Sequence, residues 1–413
     1  TGHALGALLY GLHAALSGNV ALVVGVLGYV AGAEVLWRMT TAALPWEFGK
    51  YASVLIAGAA AAVECWRQPS APRRWAWGPI AYFVLLLPAA VPTLMTGDWS
   101  RARRDLAFNL SGPLALAVLS TYLWRRQATQ GDFGRLLLAI MAPVLGIVFL
   151  AVRATVTMPP SFINDSNFVA SGGFGPNQVS TMLGLGALLA FVFCLVVRGT
   201  RPLQSLVAVM MFGFLAQALL TFSRGWVVSA LSAVLVLGTH LLSTRRIRRF
   251  LALGAACALE MLVLLPSLNT FTSGQLGQRF TDPSPTGRDE LVLGELQAFR
   301  EHPWLGVGVG LSVTYRDGRA THTEPARMLA EHGILGLIAL VVLATVVAVG
   351  YRDARPGLAR GVTAALVVWG STVMLHSATR IAAVPLAIAV ALMAWHLETD
   401  DDDRLREGSS PAV

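Results

Sequence analysis

Charge is what this sequence has least of. Asp, Glu, Lys and Arg make up 13% of its 413 residues, about half the roughly 25% of a soluble domain. That excludes a soluble enzyme and a disordered chain. Lysine is almost missing: Lys50 is the only one, so arginine carries nearly all of the net charge of +8. The cations sit in short clusters between apolar runs, so the excess reads as membrane topology. It does not read as a nucleic-acid footprint, despite an isoelectric point near 10.0. Arginine suits bidentate phosphate binding, and a biased genome would enrich it equally. Cysteine is scarce too. Cys65, Cys194 and Cys257 lie inside apolar runs, which implies neither a disulfide framework nor a metal cluster.

What the chain has is apolar length. Hydrophobic residues make up 55% of it and its mean hydropathy is +0.62. A spanning helix needs about 20 mostly apolar residues. Candidate spans lie near 19–36, 48–65, 79–96, 106–123, 136–157, 178–197, 203–220, 225–242, 250–266, 329–350, 360–376 and 380–397. The expected fold is therefore all-α, a multi-pass membrane protein of about twelve helices. The shorter segment 4–16 reads as an interfacial or partial helix, with a thirteenth span as the alternative. The chain divides into nine spans over 1–266, a polar loop over 267–328, three spans over 329–397 and a tail over 398–413.

Cations orient such a chain. Arg67, Arg73 and Arg74 follow the second span, and Arg125, Arg126 and Arg135 follow the fourth. Arg198 and Arg201, then Arg245, Arg246, Arg248 and Arg249, then Arg352, Arg355 and Arg360 continue the alternation. These loops belong in the cytoplasm, and with them both termini. Arg101, Arg103 and Arg104 are the exception, offset in part by Asp98 and Asp105. The acidic run Asp400–Asp403 is a solvated tail. The long polar loop contains an amphipathic helix in this reading. Thr286 and Asp289 resemble a capping box, and Val292, Leu296 and Phe299 share one face.

Polar residues that look purposeful gather on the outer side. Ser223-Arg224-Gly225 opens a span there, with Ser223 as a candidate N-cap. A helix start with a fixed guanidinium favours an anion. Snorkelling or an ion pair is the plainer role for Arg224. Gly172-Gly173-Phe174-Gly175-Pro176-Asn177-Gln178 precedes another span. Asn177 and Gln178 are placed to donate to a sugar or phosphate, or else to close a tight turn. His322 and Glu331 flank the start of the tenth span. A histidine there is a candidate base for a hydroxyl nucleophile. Arg279, Arg288, Arg300, Arg316, Arg319 and Arg327 occupy the same loop, together with seven carboxylates that would pair with some of them. Gly306-Val307-Gly308-Val309-Gly310 lacks the Lys-Ser/Thr of a nucleotide loop. No HExxH, CxxC or paired-Asp cluster appears, so neither metal nor cofactor is expected. Three outer helix starts of this kind suit an anion on a lipid anchor, such as a polyprenyl diphosphate sugar.

At these residues the sequence resembles the O-antigen ligase/polymerase superfamily. The resemblance rests on Ser223-Arg224-Gly225, the Phe174–Asn177 turn, and Gly287-Arg288 with His302-Pro303-Trp304-Leu305-Gly306-Val307-Gly308. His322 with Glu331-x-Gly333-x-x-Gly336 completes it. It covers about residues 170–340 and departs at Thr323, where the family has Asn. It implies a bacterial inner-membrane glycosyltransferase of the C type with a periplasmic active site and a long periplasmic loop. The implied donor is a glycan on undecaprenyl diphosphate. The implied acceptor is lipid A–core for a ligase, or another lipid-linked repeat unit for a polymerase. Arg224 and Arg288 would hold the diphosphate, and His322 would activate the acceptor hydroxyl. Ser223, Asn177, Gln178, Arg319, Arg327 and Glu331 would bind substrate, with Glu331 holding His322 or pairing with an arginine. The metal-free mechanism would rest on arginine. A transporter of lipid-linked sugars is the alternative of another class, and twelve spans suit it. Transporters place their sites at the midplane between inverted repeats, whereas here the polar residues lie at one face. A structural or assembly subunit is the third reading.

Overall fold

The computed structural model describes residues 1–67, 76–158, 160–242, 244–282, 284 and 287–397. It is mostly helical. In chain order come α1 (Gly2–Ser17), α2 (Val20–Met39) and α3 (Phe48–Arg67). A broken span follows, with α4 (Trp77–Val84), a 3₁₀ turn (Leu87–Ala89) and α5 (Ala90–Leu94). Then come α6 (Trp99–Leu123), β1 (Gln127–Thr129), α7 (Gln130–Thr157), α8 (Pro176–Val196), α9 (Arg201–Leu220), α10 (Gly225–Leu241) and α11 (Ile247–Phe271). The polar loop holds α12 (Gln275–Thr281), α13 (Arg288–Glu301) and a 3₁₀ turn (Leu311–Arg316). The chain ends with α14 (Glu324–Asp353), α15 (Leu358–His376), α16 (Ala383–Ala391) and β2 (Ala394–His396).

Among the described residues, 10 helices are long and apolar enough to cross a membrane. The sequence leads one to expect about twelve, and two segments make the difference. α10 has only 17 residues. The segment 380–397 is helical over just nine residues before it leaves the helix as β2. That strand pairs in parallel with β1, Ala128 opposite Trp395, a small sheet that apolar periodicity does not reveal. α8 sits at the centre, buried without a break from Val179 to Val196. An all-round apolar helix belongs there. α11 is the opposite case and buries no residue against its neighbours.

The two ends of the bundle differ in chemistry. At one end Arg126 pairs with Glu64 and Arg125 with Asp353, beside the β1–β2 sheet. Exposed Trp66 and Trp77 lie at this end, and exposed Trp46, Trp99 and Trp304 at the other. Such belts mark the two membrane–water boundaries.

The start of the chain departs from expectation. Gly18, at φ 74, closes α1, and the Asn19 side chain caps α2 by accepting from Leu22 N. So short a connection turns the chain straight back, and α1 runs antiparallel to α2. Arg67 Nη1 reaches the Ser17 carbonyl at 3.2 Å, whereas Thr1 Oγ1 accepts from Ala43 N at 3.0 Å. Thr1 therefore lies at the opposite end of the bundle from β2, where the sequence led us to expect both termini at one side. The acidic tail, Arg73, Arg74 and Thr286 fall outside the described residues.

The loop helix is present as α13, but its buried face is Leu291, Glu295 and Ala298. Val292, Leu296 and Phe299 are half-buried beside it. The cause is polar. Arg316 Nε approaches Glu295 Oε1 at 3.2 Å and Thr323 donates to Glu295 Oε2 at 3.2 Å, which draws the carboxylate inward.

Candidate active site

Three separate elements bring arginine to the end that holds Thr1. Arg224 stands at the start of α10, and its terminal nitrogens donate to the carbonyls of Asp282 and Ser284. Arg279 of α12 donates Nε to the Phe222 carbonyl at 3.0 Å and Nη1 to the Asn164 carbonyl at 3.2 Å. Arg288, the first residue of α13, is half-buried, and its side chain makes no hydrogen bond or ion pair among the described residues. Burial, then the charges of Arg224 and Arg279, hold its pKa below the ordinary guanidinium value. Asp165, 3.8 Å from Arg279, and Asp282 offset part of this positive charge. A guanidinium crowded by like charges and lacking a counter-ion is arranged to take up an anion.

His322 lies just before α14. Burial, then the positive charges of Arg380 and Arg288, push its pKa down to about 4. It is therefore a neutral imidazole near pH 7, able to accept a proton. Its Nδ1 is buried without a hydrogen-bond partner among the described residues. Arg380, in the turn between α15 and α16, donates Nη2 to the Thr321 carbonyl and leaves Nε buried without a hydrogen-bond partner among the described residues. Burial and the charges of Arg316 and Arg327 bring its pKa down to about 10.

His376 closes α15 and meets α10. Its Nε2 is hydrogen-bonded to Ser229 Oγ at 2.7 Å. Its ring rests on Gly225, where an added Cβ would come within 2.5 Å of Nδ1. That explains why the residue after Arg224 lacks a side chain.

The remaining candidates divide by their partners. Ser223 does not cap α10 with its side chain. Its Oγ donates to Asn177 Oδ1 at 2.9 Å and ties α10 to α8. Gln178 Oε1 accepts from Arg38 Nη1 at 2.8 Å, which ties α8 to α2. Arg38 also donates to the Arg380 carbonyl at 3.1 Å and pairs with Glu34 at 2.9 Å, while Glu34 accepts from Ala382 N. The α2 carboxylate and guanidinium thus brace the turn that carries Arg380. Arg327 is buried between Glu324 and Glu331, 2.5 Å and 3.0 Å away. Glu331 also accepts from Ser312 at 2.9 Å. It serves arginine and not His322. Arg319 pairs at the surface with Glu290 at 3.1 Å.

The glycine-rich stretch is structural. α14 is broken at Gly333, whose φ of 60 and ψ of −139 lie outside the helical region. The break lets Val307 N reach the Ala330 carbonyl at 2.9 Å and Ile334 N reach Pro303 O at 2.7 Å. The His302–Gly308 segment and the Glu331–Gly336 segment are thus two halves of one joint.

The structure brings Arg224, Arg279, Arg288 and His322 within electrostatic reach of one another through Arg288. Sequence reasoning missed Arg38, His376 and Arg380. The one legible signal for His376 and Arg380 was the polar stretch His376-Ser377-Ala378-Thr379-Arg380, which interrupts two apolar runs; Arg38 stands near the end of an apolar run, where a cation reads as a boundary residue.

A multi-pass helical bundle with a cationic, histidine-bearing site at one end is the class that fold and site define. Residues 209–341 match the family described as O-antigen ligase, which bears out the resemblance drawn from the motifs. The match contains Arg224, Arg279, Arg288, His322 and Glu331, and it leaves out Arg38, Asn177, Gln178, His376 and Arg380. No curated protein matches the chain.

Proposed function

We propose that this protein transfers a glycan from undecaprenyl diphosphate to a sugar hydroxyl at the periplasmic face of the bacterial inner membrane. The reaction is ligation of O-antigen to lipid A–core, without a metal, by a transferase of the C type. The observation that carries this reading is Arg288, half-buried, with no side-chain hydrogen bond or ion pair among the described residues, and within electrostatic reach of Arg224, Arg279 and the neutral His322. In the transfer, the acceptor hydroxyl oxygen attacks the anomeric carbon while the bond from that carbon to the diphosphate oxygen breaks. His322 takes the hydroxyl proton. Arg288, Arg224 and Arg279 offset the charge that develops on the departing diphosphate, a role worth about 100- to 1,000-fold for one well-placed donor. Fixed guanidinium groups stand in for a divalent cation.

The test gives purified protein a lipid-linked oligosaccharide with and without lipid A–core, in EDTA. A new glycosidic bond that appears only with the core supports ligation. Lengthening of the donor alone means a polymerase instead. Movement of the lipid-linked sugar across liposomes with no new bond means a transporter. Loss of rate in EDTA that Mg²⁺ restores would overturn the arginine mechanism.

A further inference from the structure

An acceptor sugar has to be held as well as activated, and none of the motifs supplies a surface for its ring. A recess of about 270 Å³ lies between the end of α2 and the start of α3, lined by residues that include Trp37, Arg38, Thr41, Leu44, Pro45 and Trp46. Drug-sized sites run to roughly 300–1,000 Å³, so this one suits a single ring. Its platform is Trp46, 50% exposed, with the Arg38 guanidinium 4.9 Å from the ring centroid and Phe174 at 5.7 Å. Its accessible polar edge is exposed Thr41, while the Glu34–Arg38 pair behind it is buried and already bonded, Arg38 to Trp46 O, Gln178, Arg380 O and Glu34. Glu34, 2.9 Å from Arg38, and Glu47, 3.8 Å from Arg38 and paired with Lys50, balance the two cations, so the recess is no second anion site. Its wall is strained. Thr41 has φ +49, a left-handed conformation that a β-branched residue seldom adopts, and such strain concentrates at ligand sites.

A pyranose ring has the matching halves. One face is C–H bonds, which lie against the negative face of an indole, and its rim is hydroxyl groups that exchange hydrogen bonds with a side-chain hydroxyl such as that of Thr41. The recess is also linked to the His322 loop. Arg38 donates to the carbonyl of Arg380, and the Arg380 side chain donates to the carbonyl of Thr321, the residue before His322.

We propose that this recess is a saccharide subsite that stacks the acceptor ring on Trp46 and presents a hydroxyl toward His322. The assignment of the ring to the acceptor rests on the transfer reading above.

Saturation-transfer NMR tests it on the full-length protein in nanodiscs, with methyl glucoside, galactoside, mannoside and rhamnoside as probes. At least one should show transfer to its ring C–H protons. The signal should vanish in Trp46→Ala, survive in Trp46→Phe and survive in Arg224→Ala. No signal from any of the four, or a signal undiminished in Trp46→Ala, overturns the subsite. In turnover, Trp46→Ala should raise the acceptor KM about tenfold and leave kcat and the donor KM unchanged. A fall in kcat with the acceptor KM unchanged also overturns it. Failure of the transfer reading shows elsewhere, as wild-type protein that binds glycoside but forms no glycosidic bond.

Discussion

At the residue scale, the proposed transfer rests on one imidazole kept neutral among guanidinium groups. The pKa of His322, pushed to about 4 against the ordinary 6.5, is set by burial and by Arg380, Arg288 and Arg316. A bound sugar diphosphate diester does not itself titrate near neutrality. Its negative charge offsets those arginines and raises the His322 pKa toward 6.5. The complex then holds more protons than the free protein in the window above pH 4. By linkage, donor binding should tighten as pH falls from about 6.5 to 4. Equilibrium binding across that range, with His322→Asn as control, checks this. A donor Kd that weakens toward acid, or the same slope in the variant, would contradict it. Arg288→Ala should lower kcat about 100- to 1,000-fold, and Arg288→Lys should recover only part, because a point charge replaces a planar fork. Glu331→Ala should act differently. It leaves Arg327 with one of its two buried carboxylates, and breaking such a pair costs about 3–5 kcal/mol. The expected outcome is a lower unfolding midpoint and little folded protein in the membrane. Well-folded but inactive Glu331→Ala would give that residue a part in the chemistry instead. Arg224 and His322 were legible in the sequence because each sits in a short polar motif beside a span, and Arg288 because Gly287-Arg288 stands in the long polar loop. His376 and Arg380 were not. They join the site across more than 50 residues of chain, and span-finding reads their turn as a gap between two apolar runs.

At the element scale, helix ends and helix breaks position the site. α10, α13 and α14 all begin at the same end of the bundle, and α13 is tied to α14 through Glu295, Arg316 and Thr323. Periodicity found the loop helix. It put the buried face on Val292 because it weighs apolar residues and has no term for a carboxylate drawn inward by arginine. Among the described residues, a capping box is formed by Thr129 with Asp132, at the start of α7. The break at Gly333 shows how motifs in different segments become one feature. A Cβ there would stand 2.5 Å from the Pro303 oxygen and 2.7 Å from Gly306 N. Gly333→Ala therefore meets both a clash and a glycine-only backbone conformation, at about 2 kcal/mol or more. It should lower the unfolding midpoint and detach the His302–Gly308 segment, seen as faster amide exchange at Val307 and Ile334. Unchanged exchange at both positions would show that the joint tolerates a side chain.

At the scale of the whole molecule, the arrangement depends on which end faces outward. The alternating arginines were legible because each cluster is local in sequence, and the structure gathers Arg125, Arg126, Asp353 and Glu64 at a single end with the β1–β2 sheet. The sheet itself was not legible, since it joins segments more than 260 residues apart through backbone bonds. The direction of α1 was hidden as well. Hydropathy gives a length near the limit for spanning, and direction follows from the turn at Gly18 and Asn19. If arginine-rich connections face the cytoplasm, then Thr1 and Asp317 lie outside while Gln127 and Arg355 lie inside. With Cys65, Cys194 and Cys257 replaced by serine, single cysteines at these four positions can be probed in spheroplasts with a membrane-impermeant maleimide. Thr1→Cys and Asp317→Cys should label in intact cells, and Gln127→Cys and Arg355→Cys only after permeabilisation. Labelling of Asp317→Cys only after permeabilisation would turn the cationic site toward the cytoplasm and remove the lipid-linked donor from its reach. Labelling of Thr1→Cys only on the side of Arg355→Cys would instead mean that α1 does not traverse the bundle, and the wall that α2 and α3 present beside Trp46 would lose its support.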